Sequence, residues 1–368
     1  MERLNWHMIE QLLTHAQVKV VGPSSSHLPA GAFLLGVNSH PISRFLANTA
    51  RVTLTEARRW RPDVVLAGSG LTAPIAWLAA RSCGARAAVY LHGLDIGLRH
   101  PLYSIAWLPA IRRMDLVIAN SSATREMAME RGVDVSRISL LNPGTALPPE
   151  QKDFGKEGAA FRNRYGLGSG PILVSVGRLT ERKGLREFVR DVLPLITRRV
   201  PSAQLVVIGD VATDALAARS QSTESIVREA EQQGLAERVH FIGAIADRAE
   251  LSQAYGAAAV HVFPVREIAG DPEGFGMVAI EAAAHGLPTV AYATGGVVDA
   301  VSDGISGYLI RPHDAEKFAD EVCRLLASPM PAQPSRMFAK KFEWTAFGTR
   351  LREILEGRYS RPDPQGAL

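Results

Sequence analysis

Cysteine is nearly missing from this chain: only Cys83 and Cys323 occur in 368 residues, far apart. That excludes a disulfide-stapled scaffold, and both read as free, buried thiols in a reducing compartment. The ten histidines fall in no His-Glu-x-x-His pattern and no Cys-x-x-Cys occurs, so no metal site is expected. No Asp-x-Asp pair closes a strand. No apolar run reaches about eighteen residues, so no membrane-spanning helix is expected. The opening MERLNWHMIEQLL is charged and amphipathic and lacks the apolar stretch of a signal peptide. A cytoplasmic location follows as the expectation. The net charge of +4 is mild. It suits phosphorylated ligands or an anionic membrane surface. No nucleic-acid-binding motif is present, so nucleic acid is not an expected partner.

What the chain does have is apolar content of 46% against 21% charged residues, the balance of a globular protein. Its length suits two domains. A helix over Met1–Thr14 and a strand over Val18–Gly22 come first, followed by a long connection from His27 to Asn48. A helix over Thr49–Trp60 then opens an alternation with strands at Val64–Ala67, Ala87–Leu91, Asp115–Ala119 and Ile138–Leu141, and helices at Thr72–Ser82 and Ala123–Arg131. Polar residues 146–170 read as a linker. The second alternation places strands at Ile172–Val176, Leu205–Ile208, Val239–Ile242, Val260–Phe263 and Thr289–Tyr292. Helices are expected over Leu185–Val200, Glu224–Gln233, Arg248–Gly256, Asp314–Ala327 and Trp344–Leu355. Such alternation predicts α/β architecture with parallel sheets. The expected division is 1–150, 151–341 and a closing helix with its tail over 342–368. The segment Arg99–Arg113 mixes aromatic, aliphatic and basic residues and reads equally as an interfacial helix or a core helix with basic ends.

The chemistry concentrates in Asp271–Ala291, DPEGFGMVAIEAAAHGLPTVA. Glu273 precedes Gly274-Phe275-Gly276. A helical pattern then runs through Met277 and Val278 until Gly286-Leu287-Pro288 stops it. The backbone N–H groups of Phe275, Gly276 and Met277 at that helix start would hold an anion. Glu281, about one turn inside, can reach paired hydroxyls such as a ribose's. Glu273 can meet a neutral polyol beside the anion. The plain alternative is a buried helix with a glycine-rich cap. A glycosidase carboxylate pair is rejected, because eight helical residues span roughly 12 Å, beyond the ~5–9.5 Å such mechanisms use. Gly177 to Gly184, GRLTERKG, ends a strand where open α/β sheets bind ligands. There Arg178, as a fork, and Lys183, as a point charge, can hold a diphosphate. Alone, the run also reads as a solvated basic turn. Gly209-Asp210 ends another strand and can line a base pocket. His92 closes a strand in the first half and, taken alone, also reads as a structural residue. Asp271 reads as a helix cap first, and otherwise as an acceptor contact.

Glu273-x7-Glu281 within GFGMVAIEAAAHGLPTVA, with Arg178 and Lys183 upstream, resembles the donor-site signature of the family-4 retaining glycosyltransferases of GT-B fold. The resemblance covers nearly the whole chain and is most specific from Gly177 to Pro288. It implies two Rossmann-like parallel-sheet domains facing a cleft, with a last helix crossing back to the first domain. It implies that Arg178 and Lys183 stabilise the diphosphate, that Glu273 and His92 orient the transferred sugar, and that Glu281 holds the ribose. The backbone from Gly274 through Phe275, Gly276 and Met277 to Val278, with Gly177 and the turn at Gly243, completes the donor site. A nucleoside diphosphate sugar is then the substrate, with no cofactor and no metal ion. The implied reaction moves a hexose to a glycan or lipid-linked acceptor in surface polysaccharide or lipopolysaccharide assembly. Peripheral contact with the cytoplasmic face of the inner membrane would follow. Family members place a strand and a Gly-Gly loop before a helix like Met1–Leu13, whereas here the helix comes first. The first strand is therefore expected upstream or missing. That motivates the second reading, a non-catalytic nucleotide-sugar-binding subunit that needs a partner.

Overall fold

The structure, a computed structural model, describes residues 2–98, 100–149, 153–211 and 220–357. Arg99 and the tail 360–368 singled out above lie outside the described residues. The chain divides into two compact units: Met1–Gly144 with Trp344–Leu368, and Thr145–Glu343. The second unit is thus an insertion within the first. Its two ends lie side by side: Thr145 N donates to Phe342 O at 2.6 Å, and Thr145 bridges Glu343.

In the first unit, β1 (Lys19–Pro23) pairs in parallel with β2 (Phe33–Val37). A separate parallel sheet runs in the order β3 (Val64–Ala67), β4 (Arg86–Leu91), β5 (Leu116–Ala119), β6 (Ile138–Leu140). Parallel strands are covered on both faces and read as unbroken apolar runs. Ala87 through Leu91 obey this, each no more than 1% exposed. α3 (Ala73–Cys83) packs on β3 and β4, α2 (Ile42–Trp60) on β1 and β2, and the helix Ser122–Glu130 on β5 and β6, while α1 (Glu2–Leu13) opens the unit. α2 packs on α3, and α1 packs on the closing helix Trp344–Glu356. β2 and the first turns of α2 occupy what reads as a connection in the sequence. Five residues are too few to show alternation, and Ser43, Asn48 and Thr49 dilute the helical pattern.

Residues 101–112 form two short helices, Pro101–Ala106 and Leu108–Arg112, with Leu108, Ala110 and Ile111 buried. Trp107 Nε1 donates to Leu71 O at 2.8 Å, and Arg112 Nε donates to Arg131 O at 2.6 Å. Leu108, Ala110 and Ile111 thus belong to the core, while Ile105 is 76% exposed.

In the second unit the strands are β7 (Ile172–Val176), β8 (Gln204–Ile208), β9 (Val239–Gly243), β10 (Val260–Phe263), β11 (Thr289–Tyr292) and β12 (Gly307–Ile310). They form one parallel sheet in the order β12-β11-β10-β7-β8-β9. The chain winds outward from β7 to β9, then returns to β10 and winds the other way. Winding reverses between β7 and β10, and open α/β sheets bind ligands beyond the carboxyl ends at that reversal. Leu173, Val206, Val262 and Val290 at the sheet's centre are fully buried. Residues 146–170 are not wholly linker. Asp153 caps a helix over Phe154–Arg164, whose Phe161 is 1% exposed.

Candidate functional site

The loops that follow β7 and β10 come together at the reversal. After β7 the chain passes Gly177 (φ 136°) and Arg178, then makes a tight turn over Glu181–Lys183 that ends at Gly184 (φ 67°). A Cβ at Gly184 would stand 2.1 Å from Pro264 O, so only glycine lets this turn rest on the end of β10. The turn places Lys183 Nζ 4.4 Å from the centre of the Phe263 ring and 2.9 Å from Glu273 Oε2. Arg182 reaches the same carboxylate through Nη1, and its Nε donates to Asp271 Oδ1 at 3.1 Å. Asp271, read above as a helix cap, instead pairs with Arg182. The helix begins only at Met277, too far along the chain for Asp271 to cap it.

Burial pushes the Glu273 carboxyl up, but Lys183 and Arg182 outweigh it and hold the group below the usual carboxylate range. Lys183 is pulled below its ordinary value, first by burial, with Arg182 and Arg178 adding to it and Glu273 opposing. The buried His261 imidazole beneath them is driven to about 3, by burial and then by Lys183, and is neutral at pH 7. Two cations, Arg182 and Lys183, thus meet the Glu273 carboxylate, Arg182 also pairs with Asp271, and Arg178 stands near enough to Lys183 to act on it.

The Glu273–Gly276 loop feeds the helix Met277–Ala284. Gly276 sits at φ 96°, and a Cβ there would lie 2.9 Å from the Phe263 ring. Ala279 N donates to Gly276 O at 2.9 Å, and the N–H groups that precede it at the helix start have no acceptor within the helix. The Phe275 side chain belongs to the core, 2% exposed and 5.7 Å from the Phe342 ring, so only its backbone is offered to a ligand. Behind the loop, Gly296 N donates to Glu273 O at 2.9 Å. A Cβ on Gly296 would approach Gly274 O to 2.1 Å. Glu281 is buried one turn into the helix and accepts from Tyr255 Oη at 3.3 Å.

Three neighbouring strands, β7, β8 and β9, end on Gly177, Gly209 and Gly243, all at positive φ. A Cβ at Gly209 would strike Gly177 O at 2.0 Å. Beyond these glycines lies a pocket of about 400 Å³, lined in part by Arg178, Asp210, Ala244 and Ile245.

His92 belongs to the first unit. Its Nε2 lies 2.8 Å from Gly68 O, and burial pulls its pKa below the ordinary value, so the ring is neutral at pH 7. Asp95 braces the turn: its carboxylate accepts from His92 N at 2.8 Å and from Gly70 N at 2.7 Å. Gly68 O and Asp95 thus fix where this turn and its ring lie.

Arg182, Asp95 and the Gly295-Gly296 turn are not singled out by the sequence. The adjacency of Arg182 to Lys183 was a visible signal. The other two emerge only from contacts between distant loops.

Residues 1–147 match the family described as Glycosyltransferase Family 4, and residues 170–328 match Glycosyl transferases group 1. A GDP-mannose-dependent alpha-(1-6)-phosphatidylinositol monomannoside mannosyltransferase of Mycolicibacterium smegmatis is 31% identical over 337 residues, covering 87% of this chain and 83% of that protein. A D-inositol 3-phosphate glycosyltransferase from the same organism is 30% identical over 252 residues, 66% of this chain and 53% of its own length. Among solved structures, a glycosyltransferase from Rickettsia africae superposes with a TM-score of 0.77 at 17% identity, covering 97% of this chain and 94% of its own. An Anabaena protein in complex with UDP gives 0.74 at 18% identity, covering 93% and 100%. These structural likenesses speak to the fold, which is GT-B. The chain belongs to the family-4, group 1 glycosyltransferases, enzymes that use a nucleotide sugar.

Proposed function

We propose that the protein moves a hexosyl group, mannose foremost, from a guanosine diphosphate sugar to a hydroxyl of a lipid-linked sugar or cyclitol, with retention at the anomeric carbon. The observation that carries this reading is the cluster at the strand reversal: Lys183 on Glu273, with Arg178 near Lys183, on the loop that leads into the Met277–Ala284 helix. Charge-assisted bonds of this kind contribute about 1.5–3 kcal/mol each. Arg178, Lys183 and the backbone from Gly274 to Val278 receive the diphosphate. Glu273 takes hydroxyls of the sugar and Glu281 those of the ribose. The pocket beyond Gly177, Gly209 and Gly243 takes the base. His92 contributes a contact to the sugar.

In the reaction the bond from the anomeric carbon to the diphosphate breaks and a bond to the acceptor oxygen forms on the same face. The acceptor proton passes to the departing phosphate oxygen. Charge builds on that phosphate as the bond breaks, and fixed cations stabilise it most at that moment. The mannosyl donor and lipid-linked acceptor rest on the printed activity of the 31% identical relative. They favour an inositol-type glycolipid over a lipopolysaccharide core. An acceptor of this kind would bring the protein to the cytoplasmic face of a membrane.

The test is donor cleavage and transfer with a panel of GDP- and UDP-sugars, comparing the chain with Lys183→Ala. Cleavage of GDP-mannose above the others, lowered about 10²–10³-fold in Lys183→Ala, is the expected outcome. Preference for a uridine donor would refute the donor assignment. No effect of Lys183→Ala would refute the site.

A further inference from the structure

Glu281 is 7% exposed, and a polar group buried this far needs partners with fixed geometry. One of them comes from another element. Tyr255, 2% exposed on the Arg248–Ala257 helix, donates its hydroxyl to Glu281 Oε2 at 3.3 Å. Neighbouring rings fix its own: the His285 ring at 4.9 Å between centres, and the His261 ring, nearly perpendicular, at 6.4 Å. The two helices are joined a second time through His285, at the end of the Glu281 helix. Ser252 Oγ lies 2.8 Å from His285 Nε2, and His285 Nδ1 lies 2.7 Å from Glu281 O.

Leu251 stands one turn before Tyr255, on the same helical face. It lines the pocket beyond Gly177, Gly209 and Gly243. One helix thus touches that pocket with one turn and the Glu281 carboxylate with the next. A buried tyrosine needs some partner for its hydroxyl, and Glu281 satisfies that need. The choice of partner carries more. Glu273 is held by two cations, whereas Tyr255 brings no charge to Glu281. A hydroxyl fixes the direction of a carboxylate and leaves it suited to neutral donors, such as the paired hydroxyls of a sugar ring.

We propose that Tyr255 is a positioning residue for the ribose of the nucleotide. It acts through Glu281, holding Oε2 so that the carboxylate meets the ribose hydroxyls in one orientation. This rests on Glu281 being the group that takes the ribose. A site built to pair with hydroxyls rejects an analogue that lacks them, because its own polar groups are then left unpaired. Tyr255 therefore raises discrimination for the ribose rather than affinity for nucleotides in general.

Calorimetric titration of GDP and UDP, each beside its dideoxy counterpart without ribose hydroxyls, tests this on the full chain, Tyr255→Phe, Glu281→Gln and the double variant. The readout is the ratio of the two affinities, which a partly unfolded sample does not change. Expected is a ratio of about 10²-fold in the chain for whichever base binds. Tyr255→Phe should lower it about tenfold, with the dideoxy affinity unchanged. In the Glu281→Gln background the same substitution should lower it no further, since the two residues act as a unit. If the chain binds both forms alike, or neither, or if Glu281→Gln keeps the discrimination, Glu281 does not take the ribose and both readings fall. If Glu281→Gln abolishes the discrimination but Tyr255→Phe keeps the full ratio or weakens both forms equally, the ribose reading stands and the role of Tyr255 falls. That role falls as well if Tyr255→Phe lowers the ratio equally in the Glu281→Gln background.

Discussion

Around Glu273 two cations, Lys183 and Arg182, meet one carboxylate, with Asp271 held behind them by the same Arg182. Burial alone would raise the carboxyl's pKa, and the pair of cations reverses that. A group held low stays ionised through neutral pH, and its contribution is lost only as pH falls through the folded value. In Arg182→Ala one of the two attractive charges disappears. The acid limb of the kcat/KM profile should therefore move to higher pH, and kcat/KM at neutral pH should drop by about 10–100-fold. Arg182→Lys should move the limb part of the way back. An unchanged limb would mean that Arg182 does not set the state of Glu273. That Lys183 and Glu273 belong to one cluster was legible, because each stands in a glycine-bounded run just after a strand. Arg182 was not, since three cations share one short run and only the fold decides which of them touches which carboxylate. Asp271 was misread for the same reason: its partner lies 89 residues earlier in the chain.

At the scale of elements, the loop carrying Glu273 is shaped from behind. The Gly295-Gly296 turn after β11 supports it through the Gly296 N to Glu273 O bond, at a separation that leaves no room for a methyl group. Gly296→Ala should destabilise the protein by about 1–3 kcal/mol, as overpacking does. Calorimetry would read this as a lower Tm, and titration of a nucleoside diphosphate should show affinity reduced about tenfold or more. Loss of Tm without loss of affinity would separate this turn from the site. The long apolar strands and the helices next to them could be read from periodicity alone. The Phe154–Arg164 helix could not, because Gly155 and Gly158 weaken its pattern. Yet Gly158 is there for packing: a Cβ would lie 2.5 Å from Gly256 O on the Arg248–Ala257 helix. β12, four residues long, and the Ala332–Lys340 helix, whose Pro334 breaks the pattern, escaped for similar reasons. Tertiary contact, not local propensity, fixes them.

For the molecule as a whole, alternation of strand and helix was enough to foresee two α/β units, while the chain's path between them was not visible. The second unit carries its own buried sheet, and the cation cluster, the helix start and the pocket beyond Gly177, Gly209 and Gly243 all lie within it. Residues 145–343 expressed alone should therefore bind GDP with a Kd within about tenfold of that of the full chain and should transfer no sugar. Calorimetry and an acceptor assay would check both halves. Binding weaker by about 10³-fold or more would show that the first unit supplies part of the nucleotide site.

The meeting of Thr145 with Phe342 and Glu343 has a consequence for how such a chain can change. A segment whose two ends lie together closes on itself like a bead on a single knot. It can be lifted out, recircularised with its strands read from a new starting point, or set into another host, without stretching the chain around it. Recombination at this one place exchanges the inserted unit whole.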